Sequence, residues 1–492
     1  MARLLRVARN PTFERSTVAS KRQNPKTILS FHYKASNFRT KTMSQSSTPR
    51  EKLKKKSRAE KPEEEEEPLG GDIEDLFSGN ETQEIRMSLL DWYDTNQRDL
   101  PWRKRRSESE KERRAYEVWV SEIMLQQTRV QTVLEYYKRW MLKWPTINDL
   151  AQASLEEVNE MWAGLGYYRR ARFLLEGAKM VVAGKDGFPN QASSLMKVKG
   201  IGEYTAGAIA SIAFNEAVPV VDGNVIRVLA RLKAISANPK DRRTARNFWK
   251  LAAQLVDPSR PGDFNQSLME LGATLCSVSK PSCSSCPVSS QCRAYSLSQE
   301  NRTISVTDYP TKVVKAKPRC DFCCVCVLEI LNLERNQSGG RFVLVKRPEE
   351  GLLAGLWEFP SVILDKEAGL ATRRNAINLY LKEAFHVQPK KTCTIVSRKE
   401  LGEFVHIFTH IRRKVYVELL VVQLTGGTDA LLKDQANDTL TWKCVGSDAL
   451  STMGLTSAVR KVYSMVEAHK QGSSVAPDSS NRAAISRKRR IS

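Results

Sequence analysis

Residues 198–206 of the chain read VKGIGEYTA, with two glycines two positions apart between segments of helical pattern. Glycine permits the tight turn that a hairpin between helices needs, because it has no Cβ atom to clash. Backbone N–H groups that are exposed where the next helix begins can hold a phosphate group. Lys197 and Lys199 add positive charge beside the turn. The stretch therefore predicts a hairpin between two helices that grips a nucleic-acid backbone without reading its sequence.

The region around this hairpin, residues 76–295, has apolar and aromatic residues at helical spacing. Residues 115–128, AYEVWVSEIMLQQT, are apolar on nearly every face, which predicts a buried helix. Glu122 lies in its middle, and burial raises the pKa of a carboxylate that has no partner. Such a carboxyl group keeps its proton near neutral pH and can act as a general acid. The alternatives, a Glu122 that reaches solvent or pairs with Arg129, stay open on this segment alone.

A second carboxylate follows the hairpin in residues 218–224, VPVVDGN. Asp222 comes after a short apolar run and before Gly-Asn, so it is expected in a loop that leads into a helix over residues 225–232. Asp222 can serve there as a simple N-cap. Taken by itself, the segment favours that role.

Four cysteines in one short loop predict a metal centre. Cys276, Cys283, Cys286 and Cys292 have the spacing C-x6-C-x2-C-x5-C. Four thiolates can hold either a tetrahedral zinc ion or a 4Fe–4S cluster. Because a single compact loop supplies all four, the spacing favours the cluster, though only modestly.

Composition restricts the class of protein. The chain has 492 residues, a formal net charge of +23 and 41% hydrophobic residues. The length predicts two to four domains, and the apolar content excludes a chain that is disordered throughout. No run of 18 uncharged apolar residues occurs, which argues against a helical membrane protein. The basic balance favours a polyanionic partner, with nucleic acid first.

The two ends of the chain carry addressing signals. Residues 1–42 hold ten basic residues and one acid, the composition of a mitochondrial presequence, and Met43 offers a second start without it. Blocks of like charge follow up to residue 75, and we expect them to be disordered. A basic tail over residues 469–492 includes RKRR at 487–490, which predicts a nuclear-localisation patch. We therefore expect the protein in the nucleus and the mitochondrion.

Five segments, together with the four-cysteine loop, resemble the MutY-type adenine DNA glycosylases of the helix-hairpin-helix superfamily, which includes endonuclease III. The segments are WVSEIMLQQT (119–128), WAGLGYYRRAR (162–172), VKGIGEYTAGAI (198–209), VVDGNVIRVLAR (220–231) and FNQSLMELGATLC (264–276). The resemblance extends from about residue 89 to residue 292 and points to an animal homologue. It implies an all-α glycosylase domain over residues 76–295 whose four cysteines hold one 4Fe–4S cluster, with no nucleotide cofactor.

The resemblance also implies a reaction. Adenine mispaired with 8-oxoguanine, and also adenine opposite guanine, would be removed from DNA by base excision repair, which prevents G:C to T:A mutation. By position, Glu122 and Asp222 match the catalytic residues, and Tyr204 and Asn224 match assisting residues. A protonated Glu122 can protonate the leaving adenine, while an anionic Asp222 can stabilise the oxocarbenium-like sugar, as paired carboxylates do in glycosidases.

Tyr204 separates the chain from relatives that also cleave the DNA strand. Enzymes that resemble endonuclease III have at this position a lysine that forms a Schiff base with the sugar. Tyrosine cannot form one. The resemblance therefore implies a monofunctional glycosylase that leaves an abasic site.

A base inside a duplex must be extruded before its glycosidic bond is reached, so wedge and pocket residues are expected. By resemblance, Gln127 is the wedge and Tyr167 intercalates beside 8-oxoguanine, although core packing is the alternative for Tyr167 and Tyr168. The other candidate contacts to DNA are the adenine-pocket residues Arg98, Trp102, Arg103, Gln126, Gln266 and Met269, the neighbours Thr128 and Leu165, and the hairpin residues Val198, Gly200 and Gly202.

Residues 318–468 change to an α/β pattern, after a connector over residues 296–317. Strands are predicted over residues 324–331, 342–345 and 415–423, and a helix over residues 376–385. The segment resembles a Nudix-like domain, as in the C-terminal part of MutY proteins. A Nudix hydrolase needs a helix of the form R-E-x-x-E-E to hold Mg²⁺, whereas residues 373–380 read RRNAINLY. The resemblance therefore implies a module that recognises 8-oxoguanine.

The loop at residues 405–410, VHIFTH, matches the F-S-H loop with which the family reads the oxidised base. Phe408, Thr409 and His410 are the candidate readers, and Thr409 stands where serine is usual. Its hydroxyl can still form a hydrogen bond, while its methyl group can alter the fit. Strand packing is the alternative for Phe408.

A second cysteine group, Cys320, Cys323, Cys324 and Cys326, begins the second domain. Some animal relatives have a zinc ion bound in the interdomain connector, but residues 296–317 contain no cysteine here. We expect buried or free thiols in preference to zinc.

The expected partner is double-stranded DNA with adenine opposite 8-oxoguanine, bound by a monomer with no membrane contact. Relatives bind a sliding clamp and other repair proteins, although the C-terminal region has no convincing clamp-binding box. Three other functions stay open: a pyrimidine glycosylase and lyase like endonuclease III, a Nudix hydrolase of oxidised nucleotides, and a DNA-binding protein without catalysis.

Overall fold

The computed structural model describes residues 76–104, 107–184, 187–313, 317–331, 340–425 and 440–472. The predicted presequence, Met43, the charged leader and the RKRR patch lie outside the described residues. Among the helices that are described, none is both long enough and apolar enough to cross a membrane.

The first part of the described chain is helical, as predicted. Its helices are α1 (Gly79–Asn96), α2 (Lys111–Leu125), α3 (Val130–Lys143), α4 (Ile147–Gln152), α5 (Leu155–Trp162), α6 (Arg169–Ala183), α7 (Ala192–Leu195), α8 (Glu203–Phe214), α9 (Gly223–Leu232), α10 (Arg242–Leu255), α11 (Pro261–Ala273) and α12 (Arg293–Glu300). Helix α12 extends beyond residue 295 into the region that the sequence predicts as a connector.

Local sequence fixes where several of these helices begin. Ser78 and Glu81 form a reciprocal capping box at the start of α1, and Ser154 and Glu157 form another at α5. Each pair satisfies two backbone N–H groups that would otherwise lack partners in the first turn. The helices therefore start at the residues whose side chains complete their first turns.

The helical part has two apolar cores. The first surrounds α2 and α8 and contains the fully buried Trp119, Trp140 and Trp162. The second is formed by α1, α9, α10 and α11, with Phe248 among its fully buried members. Met269 packs against both cores, so it marks their junction. This junction is where the candidate site lies.

The second part contains a mixed seven-stranded sheet. Its strands are β1 (Arg319–Leu331), β2 (Arg341–Lys346), β3 (Trp357–Glu358), β4 (Ser361–Leu364), β5 (Cys393–Ile407), β6 (Ile411–Leu424) and β7 (Trp442–Val445), and its helices are α13 (Leu370–Phe385), α14 (Ser447–Thr452) and α15 (Ser457–Lys470). The main order is β3-β2-β1-β6-β5, while β4 pairs with β1 and β7 with β2.

A long parallel pairing forms the centre of this sheet. Strands β1 and β6 pair from Arg319 with Ile411 to Leu331 with Gln423. An apolar core on one face includes α13, and a second core on the other face includes α15. The three predicted strands and the predicted helix exist but are longer than predicted, and β5 was not predicted at all.

The two parts contact each other through side chains. Leu356 from the second part is buried in the first helical core, and Leu353 packs against that core. The Arg172 guanidinium donates a hydrogen bond to the backbone carbonyl of Glu349 over 3.2 Å. The Tyr168 hydroxyl points to the carbonyl of Leu455 at 3.5 Å. The helical surface of α6 therefore forms part of the interface.

Candidate active site

Glu122 lies within α2 and is only 6% exposed. The Tyr204 hydroxyl donates a hydrogen bond to its Oε2 atom over 2.5 Å. Burial raises the pKa of Glu122 to about 7, against the lowering effect of this hydrogen bond, and the nearby charge of Asp222 raises it further. The alternative in which Glu122 reaches solvent is therefore wrong, and its partner is Tyr204. At neutral pH this carboxyl group can both give up and accept a proton.

Tyr204 joins the two cores at the site. It lies in the first turn of α8, and its hydroxyl is 3.4 Å from the sulfur of Met269. Burial raises the pKa of Tyr204 well above its ordinary value, and the charge of Glu122 adds to this effect. Tyr204 therefore stays a neutral hydrogen-bond donor to Glu122.

Asp222 is the N-cap of α9, as the sequence predicted. Its Oδ1 atom accepts hydrogen bonds from the backbone N–H groups of Asn224 (2.8 Å) and Val225 (2.7 Å). Its Oδ2 atom accepts another from Asn224 Nδ2 over 2.7 Å. Burial raises the pKa of Asp222, while these three hydrogen bonds oppose the increase. The N-cap role thus supplies the donors that favour a carboxylate anion at this position.

Arg227 connects the Asp222 turn to the cysteine loop. Its guanidinium donates to Asn224 Oδ1 (2.9 Å), to the carbonyl of Gly272 (2.5 Å) and to the carbonyl of Cys276 (2.9 Å). The backbones at Gly272 and Asn224 lie so close together that a Cβ atom on Gly272 would be 2.7 Å from the Asn224 Cβ atom. The cysteine loop therefore supports the geometry of Asp222 through one side chain.

The four predicted cysteine ligands line one cavity. Cys276, Cys283, Cys286 and Cys292 share it with Arg231, a buried arginine that donates to the Cys276 sulfur over 3.2 Å. Burial raises the pKa of Cys286 to about 12 and that of Cys292 to about 11. Within the described part of the chain, no group of three or more His, Cys, Asp or Glu residues has an arrangement that could hold a metal ion. The four sulfurs nevertheless share one cavity with a fixed guanidinium, and this set of donors fits an anionic iron–sulfur cluster.

A buried carboxylate that the sequence did not single out organises the predicted adenine pocket. Glu270, which is 1% exposed, accepts hydrogen bonds from Arg98 (2.5 and 2.7 Å) and from Arg103 (2.7 Å). Burial alone would raise the pKa of Glu270, but the two guanidinium groups outweigh it and the pKa is lowered. Arg103 is therefore fixed at the site by its pairing with Glu270.

The other predicted pocket residues come from three places in the helical part: the turn before α2, the end of α2, and α11. Trp102 is buried and packs edge-on against Tyr137. Gln266 is buried on α11, and Met269 lies beside Tyr204. Gln126 follows the last residue of α2. Among these residues, Met269 lies at the junction of the two cores, and Gln266 precedes it on the same helix.

The predicted wedge residues share an uncommon backbone conformation. Gln127 has a φ angle of 57° and Tyr167 one of 49°. Residues other than glycine rarely adopt this left-handed backbone conformation. Both residues are exposed, Tyr167 to 47%, whereas Tyr168 and Leu165 are buried. Core packing is thus wrong for Tyr167 and right for Tyr168, and Thr128 lies between Gln127 and α3.

The predicted phosphate-binding hairpin connects α7 and α8. Val198 is buried, Gly200 has a φ angle of 84°, and Gly202 is the N-cap of α8. A Cβ atom on Gly200 would lie 2.7 Å from the Phe173 Cβ atom, while one on Gly202 would meet nothing within 4 Å. The two glycines therefore have different roles. Gly200 is needed because Phe173 leaves no room for a side chain, whereas Gly202 leaves the start of α8 open to a phosphate group.

The predicted reading loop is shorter than its sequence match. Residues 405–407 belong to β5, and Phe408, Thr409 and His410 form the turn into β6. Phe408 packs against His406, with the ring centroids 4.6 Å apart. Tyr167 OH and Thr409 Oγ1 form a hydrogen bond of 2.7 Å. The candidate intercalator from the helical part and the candidate reader from the sheet thus meet across the interface.

The second cysteine group lies along β1. Cys323 belongs to the core on one face of the sheet, Cys324 and Cys326 belong to the core on the other face, and Cys320 is exposed. Since neighbouring side chains of a strand point to opposite faces, the four sulfurs cannot converge on one ion.

The helix that corresponds to the Mg²⁺-binding helix of Nudix hydrolases is basic here. Arg373 pairs with Glu400 over 2.5 Å, and Arg374 pairs with Glu418 over 2.6 Å. These arginines neutralise the carboxylates of the neighbouring strands. The arrangement agrees with the missing acidic residues that the sequence indicated.

The sequence missed four residues that organise the site, namely Glu270, Arg170, Arg227 and Arg231. Glu270 has the same signal as Glu122, a carboxylate within an apolar helix. The three arginines have no such signal, because most of their partners are backbone carbonyls that become neighbours only in the fold.

Comparisons with known proteins agree with both parts of the fold. Residues 120–254 match the model of the HhH-GPD superfamily base excision DNA repair protein, and residues 333–465 match the NUDIX domain. The chain is 77% identical to the adenine DNA glycosylase of Arabidopsis thaliana, over 94% of this chain and 84% of the plant protein.

Two animal proteins are less similar. The adenine DNA glycosylase of Rattus norvegicus is 43% identical, covering 79% of each chain, and that of Homo sapiens is 43% identical over 80% of this chain and 76% of its own. The higher identity to the plant protein does not support the expectation of an animal homologue. With a helix-hairpin-helix domain, a Nudix-like domain and these relatives, the chain belongs to the MutY-type adenine DNA glycosylases, enzymes of base excision repair.

Proposed function

We propose that the protein removes adenine opposite 8-oxoguanine, and also opposite guanine, and that it leaves an abasic site without cutting the strand. The observation that carries this proposal is the pair of carboxylates at the core junction, of which Glu122 is buried and Asp222 half-buried. Glu122, with a pKa raised to about 7, faces the same site as Asp222, whose oxygens are held by three donors. Removal of adenine from this mispair prevents G:C to T:A mutation.

The chemistry follows from the two environments. Protonated Glu122 gives its proton to a ring nitrogen of the extruded adenine, N7 for instance, and the C–N glycosidic bond breaks with its electrons on the base. Anionic Asp222 stabilises the positive charge that develops on the sugar. Glu122, now ionised, takes a proton from the incoming water, whose oxygen bonds to the sugar carbon. Protons and charge balance, and Glu122 is protonated again.

Tyr204 supports the monofunctional part of the proposal. Its hydroxyl donates a hydrogen bond to Glu122. Tyrosine has no amine group that could form a Schiff base with the sugar. The product should therefore be an intact strand with an abasic site.

Duplexes with adenine opposite 8-oxoguanine test the reaction. Strand breaks should occur only after hot alkali, and Glu122→Gln and Asp222→Asn should each abolish them. Breaks without alkali would indicate a lyase. If adenine were released neither opposite 8-oxoguanine nor opposite guanine, the proposed function would be wrong.

The cross-domain hydrogen bond supports 8-oxoguanine as the opposite base. Tyr167 and Thr409, one on each part of the protein, form a direct hydrogen bond of 2.7 Å, so an oxidised base bound at this interface would exchange that bond for contacts of its own with both side chains. Thr409→Val removes the hydroxyl but keeps the shape, and Thr409→Ser restores the usual hydroxyl. We expect Thr409→Val to lower the ratio of rates for 8-oxoguanine and guanine duplexes by about tenfold, the size of one lost hydrogen bond to a charged or polar site. Equal ratios in the Val and Ser variants would contradict this reader.

The four-cysteine cavity supports one 4Fe–4S cluster held by Cys276, Cys283, Cys286 and Cys292. When bound, the cluster would order the loop between α11 and α12 and so support the Asp222 turn through Arg227. Iron and sulfide analysis with visible absorbance distinguishes it from zinc. One zinc ion per chain would overturn the proposal.

Addresses and partners are proposed from the sequence. We propose nuclear and mitochondrial forms that differ in the use of residues 1–42, and a DNA-bound monomer that can meet a sliding clamp and other repair proteins. Fluorescent fusions that start at Met1 or Met43 should separate the two compartments. The same distribution for both fusions would contradict the presequence.

A further inference from the structure

Arg170 lies in the first turn of α6 with its guanidinium against the C-terminal end of α2. Its Nη1 atom donates to the carbonyls of Ile123 (2.8 Å), Met124 (3.1 Å) and Gln126 (2.6 Å). The last carbonyls of a helix have no partner within the helix, so an arginine there satisfies them and complements the helix dipole. Arg170 thus closes the helix that carries Glu122.

The other nitrogen reaches the two exposed turns. Nη2 donates to the carbonyl of Gly166 over 3.3 Å and lies 3.5 Å from the Thr128 hydroxyl. The guanidinium also lies 5.3 Å from the centre of the Tyr167 ring and 5.4 Å from that of Trp162. One side chain therefore contacts the turn before Tyr167 and both sides of the turn that holds Gln127.

Both turns have backbone conformations that need external support. Gln127 and Tyr167 have positive φ angles, and Gly164 and Gly166 beside Tyr167 have φ angles of 98° and 77°. Such conformations are unfavourable for residues other than glycine and persist only where surrounding contacts fix them. Arg170 supplies such contacts to both turns, through the Gln126 carbonyl on one side and through the Gly166 carbonyl and the Tyr167 ring on the other.

We propose that Arg170 is a positioning residue that holds the Gln127 turn and the Tyr167 turn as one rigid unit at the end of α2, so that insertion of both side chains into the duplex and delivery of adenine to Glu122 occur together. The inference deepens the proposed function and rests on it. Burial lowers the pKa of Arg170 to about 10, so the guanidinium stays charged at neutral pH.

The test compares extrusion of the base with excision in the full chain. Arg170→Met removes the donors, and Arg170→Lys keeps the charge with fewer donors, which guards against simple misfolding. Lys179→Met, an exposed residue further along α6, is the control with the same change of charge. Fluorescence of 2-aminopurine placed at the adenine position opposite 8-oxoguanine reports extrusion, and single-turnover excision at saturating enzyme reports the reaction.

We expect Arg170→Met to lower the single-turnover rate by about 100-fold, since misplacement by about 1 Å has this effect on catalysis. The fluorescence increase should fall in parallel, Arg170→Lys should be intermediate, and Lys179→Met should resemble the unchanged chain. When the partner base is replaced by an abasic analogue, extrusion costs less, so the deficit of Arg170→Met should shrink.

Two results would overturn the inference. The first is a variant with a lower melting temperature but an unchanged fluorescence increase and rate, which would make Arg170 merely structural. The second is an equal deficit on the mispaired and the abasic-partner duplexes. If the unchanged chain itself released no adenine, the proposed function would fail instead, and the two failures are therefore distinguishable.

Discussion

Glu122 and Glu270 are buried carboxylates on apolar helices, yet their surroundings favour opposite protonation states. Burial dominates at Glu122, whose pKa rises to about 7, whereas two guanidinium groups keep Glu270 ionised. One carboxyl group is thus available for proton transfer and the other is a fixed anion. The difference depends on Arg98 and Arg103, which come from a distant segment.

Glu122→Gln should stabilise the protein at pH 8. The folded-state pKa lies above the ordinary value of 4.5, so ionisation of Glu122 opposes folding progressively as the pH rises from 4.5 to 7 and fully above 7. The shift corresponds to about 3 kcal/mol in the free energy of unfolding. Chemical denaturation at pH 5 and pH 8 measures it, and a gain of the same size at both values would contradict the raised pKa.

Glu270→Gln is the matched substitution with the opposite expected sign. The pKa of Glu270 is lowered, so its contribution to stability is present above pH 4.5 and is lost as the pH falls through the folded-state value. Removal of this anion leaves Arg98 and Arg103 without their partner, which should cost about 3–5 kcal/mol near pH 7. The same denaturation experiment measures the loss. A neutral effect would show that the ion pairs add nothing to stability.

The sequence could indicate single residues but not their charge state. A carboxylate among apolar residues identified Glu122, and the same rule applied to the 264–276 segment would have found Glu270. Neither pattern predicts which carboxylate is paired, because the pairing depends on tertiary contacts. The resemblance to a known family supplied the role of Asp222, where local sequence indicated only an N-cap.

At the scale of elements, the hairpin between α7 and α8 combines a strained turn with an open one. Gly200 has a positive φ angle and Phe173 leaves no room for a Cβ atom, whereas Gly202 has an ordinary φ angle and open space. Both glycines belong to one motif, but only the first is required by packing.

Gly200→Ala should therefore destabilise the protein by about 1–3 kcal/mol, and it should weaken DNA binding by displacing the turn. Gly202→Ala is the control and should leave the melting temperature nearly unchanged. Thermal unfolding with a binding titration on undamaged duplex measures both effects. Equal losses of stability in the two variants would contradict the separate roles.

Strands were predicted where burial is continuous and missed where it is not. Most residues of β5 are exposed or half-buried, and among the described strands it pairs with β6 alone, so its sequence lacks an apolar pattern. The predicted helix begins at residue 376, six residues after the start of α13, and in this missed part Arg373 and Arg374 pair with Glu400 and Glu418 of neighbouring strands. Paired charges resemble a solvated loop in sequence although they lie on regular structure.

At the scale of the whole molecule, the helical part and the sheet share an apolar contact and a polar one. Leu356, which is 3% exposed, is buried in the first helical core, and Tyr167 binds Thr409. Both contacts join the helical part to the sheet domain. We therefore expect the stability of the interface and discrimination between opposite bases to change together.

Leu356→Ala should lower the free energy of unfolding by about 2–5 kcal/mol, because it opens a cavity in the core of the other domain. It should also reduce the preference for 8-oxoguanine over guanine. Leu379→Ala, an exposed leucine of the sheet domain, is the control. Denaturation and rate ratios for the two duplexes test this, and a large loss of stability with an unchanged ratio would show that discrimination between opposite bases does not depend on the stability of the interface.

The capping hydrogen bonds of Asp222 have a consequence for how this position can evolve. An asparagine at this position could accept the same backbone N–H groups, since asparagine and aspartate cap helices about equally well. One nucleotide change in an aspartate codon can produce asparagine, so a single step could remove the anion while α9 keeps its start. The variant protein would still fold and bind DNA, so selection would not remove it for instability. Selection would act only on the mutations that arise when the lesions stay unrepaired.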